Sequence, residues 1–140
     1  MSHSPLISTD KSLLQLDTIH SVLKESYWAK NIPLEILKRS IDNSLCFGVY
    51  IEKEQIGFCR VISDKATFAY LADVFITDAH KGKGYSKQLM KEVLAHQDLQ
   101  GLRKFLLGTA DAHGLYKQFG FKALEKPERM MEITVKGIYL

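Results

Sequence analysis

Apolar residues recur at helical spacing in four parts of the chain, with polar residues on the opposite face of each. These parts are residues 13–25, 33–43, 85–96 and 112–118. Pro33 suits a first helical position, and Gly120 suits the residue that follows a last turn. The pattern therefore predicts four helices, each of which buries one face against another layer of structure.

Between the predicted helices lie short runs rich in β-branched and aromatic residues, which are typical of strands. They predict seven strands, at residues 6–8, 45–52, 55–62, 67–77, 104–109, 121–123 and 130–135. Short links, one of them at Lys53-Glu54, join the second, third and fourth strands, which predicts an antiparallel meander. The last two strands are expected to form an antiparallel pair. This order of elements predicts an α+β fold with one mixed sheet.

The composition is that of an ordinary globular domain. The chain has 140 residues, of which 46% are hydrophobic and 25% charged, so one domain over residues 1–140 can bury a core of its own. The net charge of +3 is spread along the chain, which gives no reason to expect nucleic acid as a partner. No run is long and apolar enough to span a bilayer, and the first ten residues lack a secretory pattern. We therefore expect a cytoplasmic protein without a membrane partner.

The spacing of cysteines and histidines argues against a metal site. Cys46 and Cys59 lie apart without a CxxC motif, so buried, reduced thiols are expected rather than a disulfide. The five histidines show no ligand spacing such as HExxH. Neither cysteine has a histidine and a carboxylate nearby in sequence, which disfavours a covalent enzyme intermediate.

The link between the fourth strand and the third helix has the chemistry of an anion site. It contains Gly82 and Gly84 among the lysines Lys81, Lys83 and Lys87. Glycines let the backbone approach a ligand closely, and a helix N-terminus offers unpaired N–H groups and partial positive charge. The link matches neither GxxxxGK[ST] nor the dinucleotide pattern GxGxxG of a βαβ unit. A purely structural turn stays open as an alternative to a phosphate cradle.

The run Lys81-Gly82-Lys83-Gly84-Tyr85-Ser86 resembles the signature Gln/Arg-x-x-Gly-x-Gly/Ala of the GNAT superfamily of N-acetyltransferases. Lys81 replaces the usual glutamine or arginine, which keeps the charge but loses the planar fork of donors, and Ser86 replaces a small apolar residue. The segments DVFITDAH and LYKQFGF fit the family too, so the likeness covers residues 47–122. It implies the GNAT fold, a mixed, mostly antiparallel sheet with helices on both faces, and acetyl-CoA as cosubstrate.

The resemblance also implies how acetyl-CoA binds. The turn of residues 81–86 holds the pyrophosphate, and the backbone of the fourth strand holds the pantetheine arm at Val74, Phe75 and Ile76 and polarises the thioester carbonyl. An extended arm with amides can add to a free strand edge as a peptide does. The fourth strand is therefore expected to part from the strand at residues 104–109.

Tyr116 is the predicted proton donor to the departing thiolate. The resemblance aligns it with the tyrosine that lies beside the sulfur in many GNAT enzymes. A phenol with a pKa of about 10 is a suitable acid for a thiolate with a pKa of about 8.5. Thr109 stands where the family often has asparagine. The alternative is a tyrosine that only packs on a short helix.

Asp73 is the leading candidate for the base that takes a proton from the amine. It is a carboxylate inside an otherwise apolar strand, where burial raises a carboxyl pKa unless the group is paired. A structural ion pair with a cation such as Arg60 is an equal alternative. Tyr70, Glu132 or a chain of water molecules are weaker candidates for the base.

Tyr27 and Trp28 lie between the first two predicted helices, where periodicity does not force burial. They either cover the core or form a wall of the acceptor pocket. The resemblance favours the pocket, because this link often borders it in GNAT proteins. Tyr70 is the third residue expected to contact the acceptor.

The sequence thus predicts acyl transfer from acetyl-CoA to a primary amine, by direct attack in a ternary complex. We expect a small-molecule acceptor rather than a protein, although the sequence does not identify the amine. A CoA-binding sensor without turnover and a protein or peptide acetyltransferase stay open as alternatives. Exposed late strands make a homodimer reasonable.

Overall fold

A five-stranded sheet forms the centre of the protein, whose computed structural model describes residues 4–140. The strands are β1 (Leu6–Ser8), β2 (Leu45–Ile51), β3 (Glu54–Ser63), β4 (Phe68–Ile76) and β5 (Lys104–Leu107). They lie side by side in chain order, with β1 to β4 antiparallel to their neighbours and β5 parallel to β4. The predicted mixed, mostly antiparallel sheet is confirmed.

Four helices join and cover the strands. They are α1 (Leu16–Leu23), α2 (Leu34–Asp42), α3 (Tyr85–Ala95) and α4 (His113–Lys117). Short 3-10 turns lie at Lys11–Leu13, Asp78–His80, Gln97–Leu99 and Pro127–Arg129. Pro33 stands at the N-cap of α2, one position earlier than predicted, with its φ of −66° already suited to the helix that follows. The predicted helix at residues 13–25 is shorter, since a 3-10 turn precedes α1.

The helices cover both faces of the sheet, as the resemblance implied. On one face α1 and α2 bury Ile19, Leu23 and Leu37 against Phe58 and Phe75. On the other face α3 buries apolar side chains against the inward residues of β2, β3 and β4, with Tyr116 at the border of the same cluster. The apolar faces of α1, α2 and α3 are thus covered by the sheet. For this reason the helical periodicity of apolar residues located these three helices correctly.

The β2–β3 hairpin turns one residue earlier than expected. Glu52 and Lys53 form the turn, with φ values of 48° and 71°, and β3 begins at Glu54. A two-residue turn that matches the twist of the strands requires positive φ at both positions. Glu52 and Lys53 adopt that conformation although neither is glycine or asparagine, so the residue types gave no signal for the place of the turn.

A bulge divides β4 into two halves. The register with β3 shifts between Phe58 and Arg60, and Asp73 on β4 has a φ of 58°. On its other side β4 pairs with β5 only as far as the pair Leu71 and Leu107. The half of β4 beyond the bulge therefore has no strand on its β5 side. The sequence predicted this separation of β4 from β5.

The prediction of two strands at residues 121–123 and 130–135 is wrong for this chain. Neither segment forms a strand, and the 3-10 turn Pro127–Arg129 lies between them. Met131 and Ile133 are 95% and 99% exposed. Alternation of apolar and polar residues predicts an extended segment, but a strand also needs a neighbour to bond with, and no such neighbour lies beside residues 130–135 within the described chain.

The two cysteines are free and buried, as predicted. Burial raises the pKa of the Cys46 thiol to about 11 and that of Cys59 well above its usual range, so both are poor nucleophiles. Within residues 4–140 no cluster of three metal-ligating side chains is found. In the same range no helix combines the length and the apolar character that crossing a membrane requires.

Candidate active site

A cleft of about 1060 Å³ opens beside the end of β4. One wall is formed by α1 and by the link between α1 and α2, and the other by the start of α4. The floor comprises Val74, Phe75 and Ile76, and the closed end is the turn that leads into α3. The cleft exists because β5 ends at Leu107 while β4 continues to Ile76.

The turn before α3 presents unpaired main-chain donors to this cleft. Gly82 and Gly84 have φ values of 77° and 84°, and a Cβ atom at either position would meet nothing within 4 Å. Gly84 is the N-cap of α3 and offers no side chain to the first turn of the helix. The N–H groups of that turn, from Tyr85 to Lys87, therefore have no acceptor in the described chain. This is the geometry in which helix N-termini bind phosphate.

The charges around the turn favour an anion. No acidic residue lies in the first turn of α3. Lys81, however, forms an ion pair with Asp78 at 2.8 Å, and the Lys81 ammonium lowers the pKa of that carboxyl. Both side chains are exposed, so the pair is weak. Lys83 and Lys87 form no ion pair within residues 4–140.

The edge of β4 that faces the cleft is free of sheet hydrogen bonds from Ala72 onwards. On the opposite side the strand stays bonded to β3, where Phe58 lies opposite Phe75 and Gly57 opposite Ile76. The N–H of Thr77 donates to the carbonyl of Ile56 at 2.8 Å and holds the end of the strand in place. A rigid strand with one free edge is the arrangement that binds an extended, amide-bearing ligand.

Tyr116 lies on α4 and lines the cleft. The side chain is buried and packs edge-on against Phe121, with the ring centroids 5.9 Å apart. Burial raises the pKa of Tyr116 to about 12. No group within residues 4–140 forms a hydrogen bond to its hydroxyl. A protonated phenol without a protein partner is thus available to donate to a group in the cleft.

Tyr27 and Trp28 lie at the mouth of the cleft, with their rings edge to face at 5.0 Å. The Ser26 hydroxyl accepts from the N–H of Ala29 and orders this link. The N–H of Ala110 donates to the Tyr27 hydroxyl at 3.2 Å, which connects the link to the loop after β5. The structure thus places both aromatic residues beside the cleft rather than over the core.

Asp73 forms the ion pair that the sequence left open as an alternative. Its Oδ2 accepts from Arg60 Nε at 2.9 Å, and its Oδ1 accepts from Trp28 Nε1 at 2.8 Å. Arg60 also donates to the Ser44 hydroxyl. Asp73 is not among the residues that line the cleft. Both carboxylate oxygens are engaged, so these contacts favour a positioning role over that of a general base.

Two other residues that the sequence predicted for the site lie outside the cleft. Tyr70 does not line the cleft, and its hydroxyl lies 3.5 Å from where a Cβ of Gly108 would be. Glu132 lies in the exposed C-terminal segment. The Thr109 hydroxyl accepts from the N–H of Ala112 at 3.1 Å, at the start of α4.

Sequence reasoning missed several residues that line the cleft. They are Ser21, Val22, Glu25, Ala112 and Leu115. Ser21 and Glu25 lie four residues apart, which places them on one face where the helical path continues beyond α1. The apolar periodicity of α1 identified only its opposite, buried face, and nothing in the pattern distinguishes a polar face that borders a cleft from one in bulk water.

Known proteins resemble this chain over most of its length. Residues 42–123 match the family model described as an acetyltransferase (GNAT) domain. A crystal structure from Xanthomonas campestris, described as a GNAT-family acetyltransferase, is 54% identical and has a TM-score of 0.95 over 99% of this chain and 98% of that one. A protein of Gibberella zeae named as an acetyltransferase, FG08082, is 31% identical over 93% of this chain and 86% of its own length.

The fold extends to more distant proteins. A GNAT-family acetyltransferase from Elizabethkingia anophelis, whose crystal structure holds acetyl-CoA, is 16% identical and has a TM-score of 0.63 over 96% of this chain and 90% of that one. The glycine turn, the parted strands and the matches over most of the chain lead to the same conclusion. The chain is an acyltransferase that belongs to the GNAT family of acetyltransferases.

Proposed function

We propose that the enzyme transfers an acetyl group from acetyl-CoA to the primary amine of a small molecule, by direct attack in a ternary complex. The observation that carries this proposal is the cleft itself: unpaired N–H groups at the start of α3 and the free edge of β4 border one cavity. A diphosphate with an extended amide arm needs both features. The proposal includes a cytoplasmic location.

The turn fits the pyrophosphate of acetyl-CoA. The N–H groups of Tyr85, Ser86 and Lys87 would donate to phosphate oxygens, and the absence of a Cβ at Gly82 and Gly84 leaves the backbone accessible. Lys83 adds positive charge, while Lys81 shares its charge with Asp78. When bound, acetyl-CoA supplies the acyl thioester. The main-chain groups of β4 from Val74 to Ile76 hold the arm and polarise the thioester carbonyl.

Tyr116 acts as the general acid in this proposal. A pKa of about 12 keeps its proton in place at neutral pH. As the amine nitrogen bonds to the acyl carbon and the carbon–sulfur bond breaks, Tyr116 donates its proton to the leaving sulfur, and the nitrogen releases one proton to water and becomes a neutral amide. The phenolate that remains recovers a proton from solvent after the product leaves.

Asp73 acts as a positioning residue in this proposal. It fixes the indole of Trp28 through one oxygen and Arg60 through the other. The substrate ammonium loses one proton to water in the cleft before the resulting amine attacks, so no dedicated base is needed. The hydrogen bond between Tyr27 and Ala110 ties the link between α1 and α2 to the loop after β5, and this bridge beside the cleft supports a small amine over a protein acceptor.

A matched pair of glycine variants tests the cradle. Gly84 and Gly101 both have positive φ, at 84° and 71°, and a Cβ at either meets nothing within 4 Å. Gly84→Ala and Gly101→Ala thus introduce a similar backbone strain, of about 1 kcal/mol. We expect calorimetry to show acetyl-CoA affinity at least about tenfold lower for Gly84→Ala and unchanged for Gly101→Ala. Equal affinities in both variants would contradict the cradle.

Turnover separates the proposal from its alternatives. The wild-type enzyme is incubated with acetyl-CoA and either a panel of small primary amines or lysine-containing peptides, and the released thiol is measured. Release with a small amine supports the proposal. Binding of acetyl-CoA without release above background in either set indicates a sensor, and release with peptides alone indicates a protein acetyltransferase.

A further inference from the structure

Glu25 places a carboxylate on one wall of the cleft, the wall formed by α1 and its link to α2, which we call the α1 wall. Among residues 4–140, the other charged side chains that line the cleft belong to the turn before α3 and to the first turn of that helix, and they are Asp78, Lys81 and Lys87. The lysines nearest to Glu25 in sequence, Lys24 and Lys30, do not line the cleft. The cleft therefore has a basic end, which suits a diphosphate, and a separate wall that carries one negative charge.

No group in the described part of the chain neutralises this carboxylate. Glu25 takes part in no ion pair and no side-chain hydrogen bond within residues 4–140. Ser21, one helical turn earlier, also lines the cleft and donates its hydroxyl proton to the carbonyl of Asp17 at 2.8 Å. The Ser21 oxygen thus keeps its lone pairs for a donor in the cleft. Both polar side chains are hydrogen-bond acceptors, which suit a ligand that donates N–H groups.

Two aromatic residues follow this carboxylate along the α1 wall. Tyr27 and Trp28 lie two and three positions after Glu25 and are 67% and 46% exposed. The indole N–H of Trp28 donates to Asp73, so the surface that this ring exposes is carbon. Asp73 also takes up the charge of Arg60 at 2.9 Å. An exposed aromatic face attracts a cation, and a carboxylate nearby adds charge of the complementary sign.

Hydrogen bonds within the link between α1 and α2 hold these groups in place. The N–H of Asn31 donates to the carbonyl of Lys24 at 2.8 Å and closes the link into a loop. Inside this loop the Ser26 hydroxyl donates to the carbonyl of Leu23 at 2.7 Å and accepts from the N–H of Ala29 at 3.0 Å. Groups that are ordered before a ligand arrives lose less entropy when it binds. The α1 wall is therefore a preorganised surface for a cation.

The cation that fits this wall is not the nitrogen that becomes acetylated. That nitrogen must be neutral when it attacks, and a carboxylate beside it would favour its protonated form. It must also reach the thioester beside Tyr116, which lies on α4 at the opposite wall of the cleft. The acceptor therefore needs a second group that keeps its positive charge while the first one reacts.

We propose that the acceptor is a linear diamine, whose second amine binds in its protonated form between the carboxylate of Glu25 and the rings of Tyr27 and Trp28. This inference rests on the proposed function and narrows its substrate class. One amine loses a proton to water and attacks the thioester, while the other stays charged and orients the molecule. Glu25 determines specificity and takes no part in the proton transfers.

A homologous set of amines tests this assignment. Linear α,ω-diamines and n-alkyl monoamines of equal chain length are supplied with saturating acetyl-CoA, and the released thiol is measured. After correction for its two equivalent amines, we expect the best diamine to exceed its matched monoamine in kcat/KM by about tenfold or more, mainly through a lower KM. Glu25→Gln should bring this ratio down to about one.

Glu92→Gln is the matched control, because it changes the net charge equally at an exposed position of α3 outside the cleft. We expect this variant to keep the wild-type ratio. Calorimetry supplies a readout without turnover: the diamine is titrated into enzyme saturated with CoA, and Glu25→Gln should bind it about tenfold more weakly than wild type and Glu92→Gln. Circular dichroism checks that each variant is folded.

The other outcomes separate this inference from the function on which it rests. Equal diamine-to-monoamine ratios in wild type and Glu25→Gln would overturn the inference and leave the proposed function intact. A weaker affinity of Glu25→Gln for acetyl-CoA would mean that the carboxylate contacts the cofactor, and an equal fall in kcat for both kinds of amine would make Glu25 the general base. Either result would overturn its role in specificity. Thiol release from no amine, with acetyl-CoA bound, would contradict the proposed function and this inference together.

Discussion

The two halves of β4 differ in what lies beside them. The first half, up to Leu71, pairs with β3 on one edge and β5 on the other. The second half, beyond the bulge at Asp73, pairs with β3 alone and borders the cleft. In the first half the inward side chains of Ala69 and Leu71 are buried. The first half of β4, paired on both edges, is the closed half, and the second half, which borders the cleft, is the open half. We expect variants in the closed half to lose stability and variants at the open half to lose activity.

The largest expected effect is on turnover, at the cleft that the open half borders. Tyr116→Phe removes the proton donor but keeps the ring that packs against Phe121. We expect kcat to fall by about 10²- to 10⁴-fold, with acetyl-CoA affinity unchanged. Steady-state kinetics and calorimetry measure the two quantities. An unchanged kcat would remove Tyr116 from the mechanism.

Leu71→Ala tests the closed half. Leu71 is 3% exposed and belongs to the core under α3, so its truncation is expected to cost about 2–5 kcal/mol of unfolding free energy. Denaturant unfolding measures this loss. We expect kcat per folded molecule to stay within about twofold of wild type. A large fall in kcat without loss of stability would show that the two halves are not separate.

Asp73→Asn tests the junction between the halves. The substitution leaves the Arg60 guanidinium, whose side chain is 17% exposed, without its carboxylate, which should cost about 3 kcal/mol of unfolding free energy. The asparagine oxygen can still accept from Trp28, so we expect a modest rise in KM for the amine and a nearly unchanged kcat. If kcat instead falls about a hundredfold and the acidic limb of the pH profile disappears, Asp73 is the general base.

The pH dependence gives the smallest effect. The pKa of Tyr116 is raised from 10.0 to about 12 in the folded state. Its contribution to stability is therefore complete below about pH 10 and is lost as the pH rises through about 12. We expect kcat/KM to rise as the amine loses its proton and then to stay level up to about pH 10. A fall below that pH that is absent in Tyr116→Phe would contradict a raised pKa.

Much of the fold could be predicted from the sequence because it rests on local patterns. The strands from Leu45 to Leu107 and the helix α3 show apolar periodicity that burial on one or both faces produces. The glycine turn was visible for a related reason. Its two residues with positive φ are glycines, which favour that conformation. In the hairpin turn the residues with positive φ are Glu52 and Lys53, so the residue types there did not indicate a turn.

Long-range contacts account for what could not be predicted. Trp28 and Asp73 are 45 positions apart, and no periodicity relates them. The bulge leaves no signal either, since aspartate tolerates a left-handed conformation without requiring it. The strand predicted at residues 130–135 does not form, because its residues alternate as in a strand but have no neighbouring strand to bond with in the described chain. A sequence shows which residues suit a strand, and it does not show which edge they join.

The bulge at Asp73 also fixes how many residues this strand can have. Before it, Ala69 and Leu71 point to the side of α3; after it, Phe75 points to the side of α1 and Ile76 to the side of α3. The additional residue thus reverses the odd–even order of inward and outward positions. Deleting Asp73 would remove more than one carboxylate, because it would turn Phe75 and Ile76 to the wrong layers and carry the glycine turn with them. A change in chain length at this position is therefore intolerable.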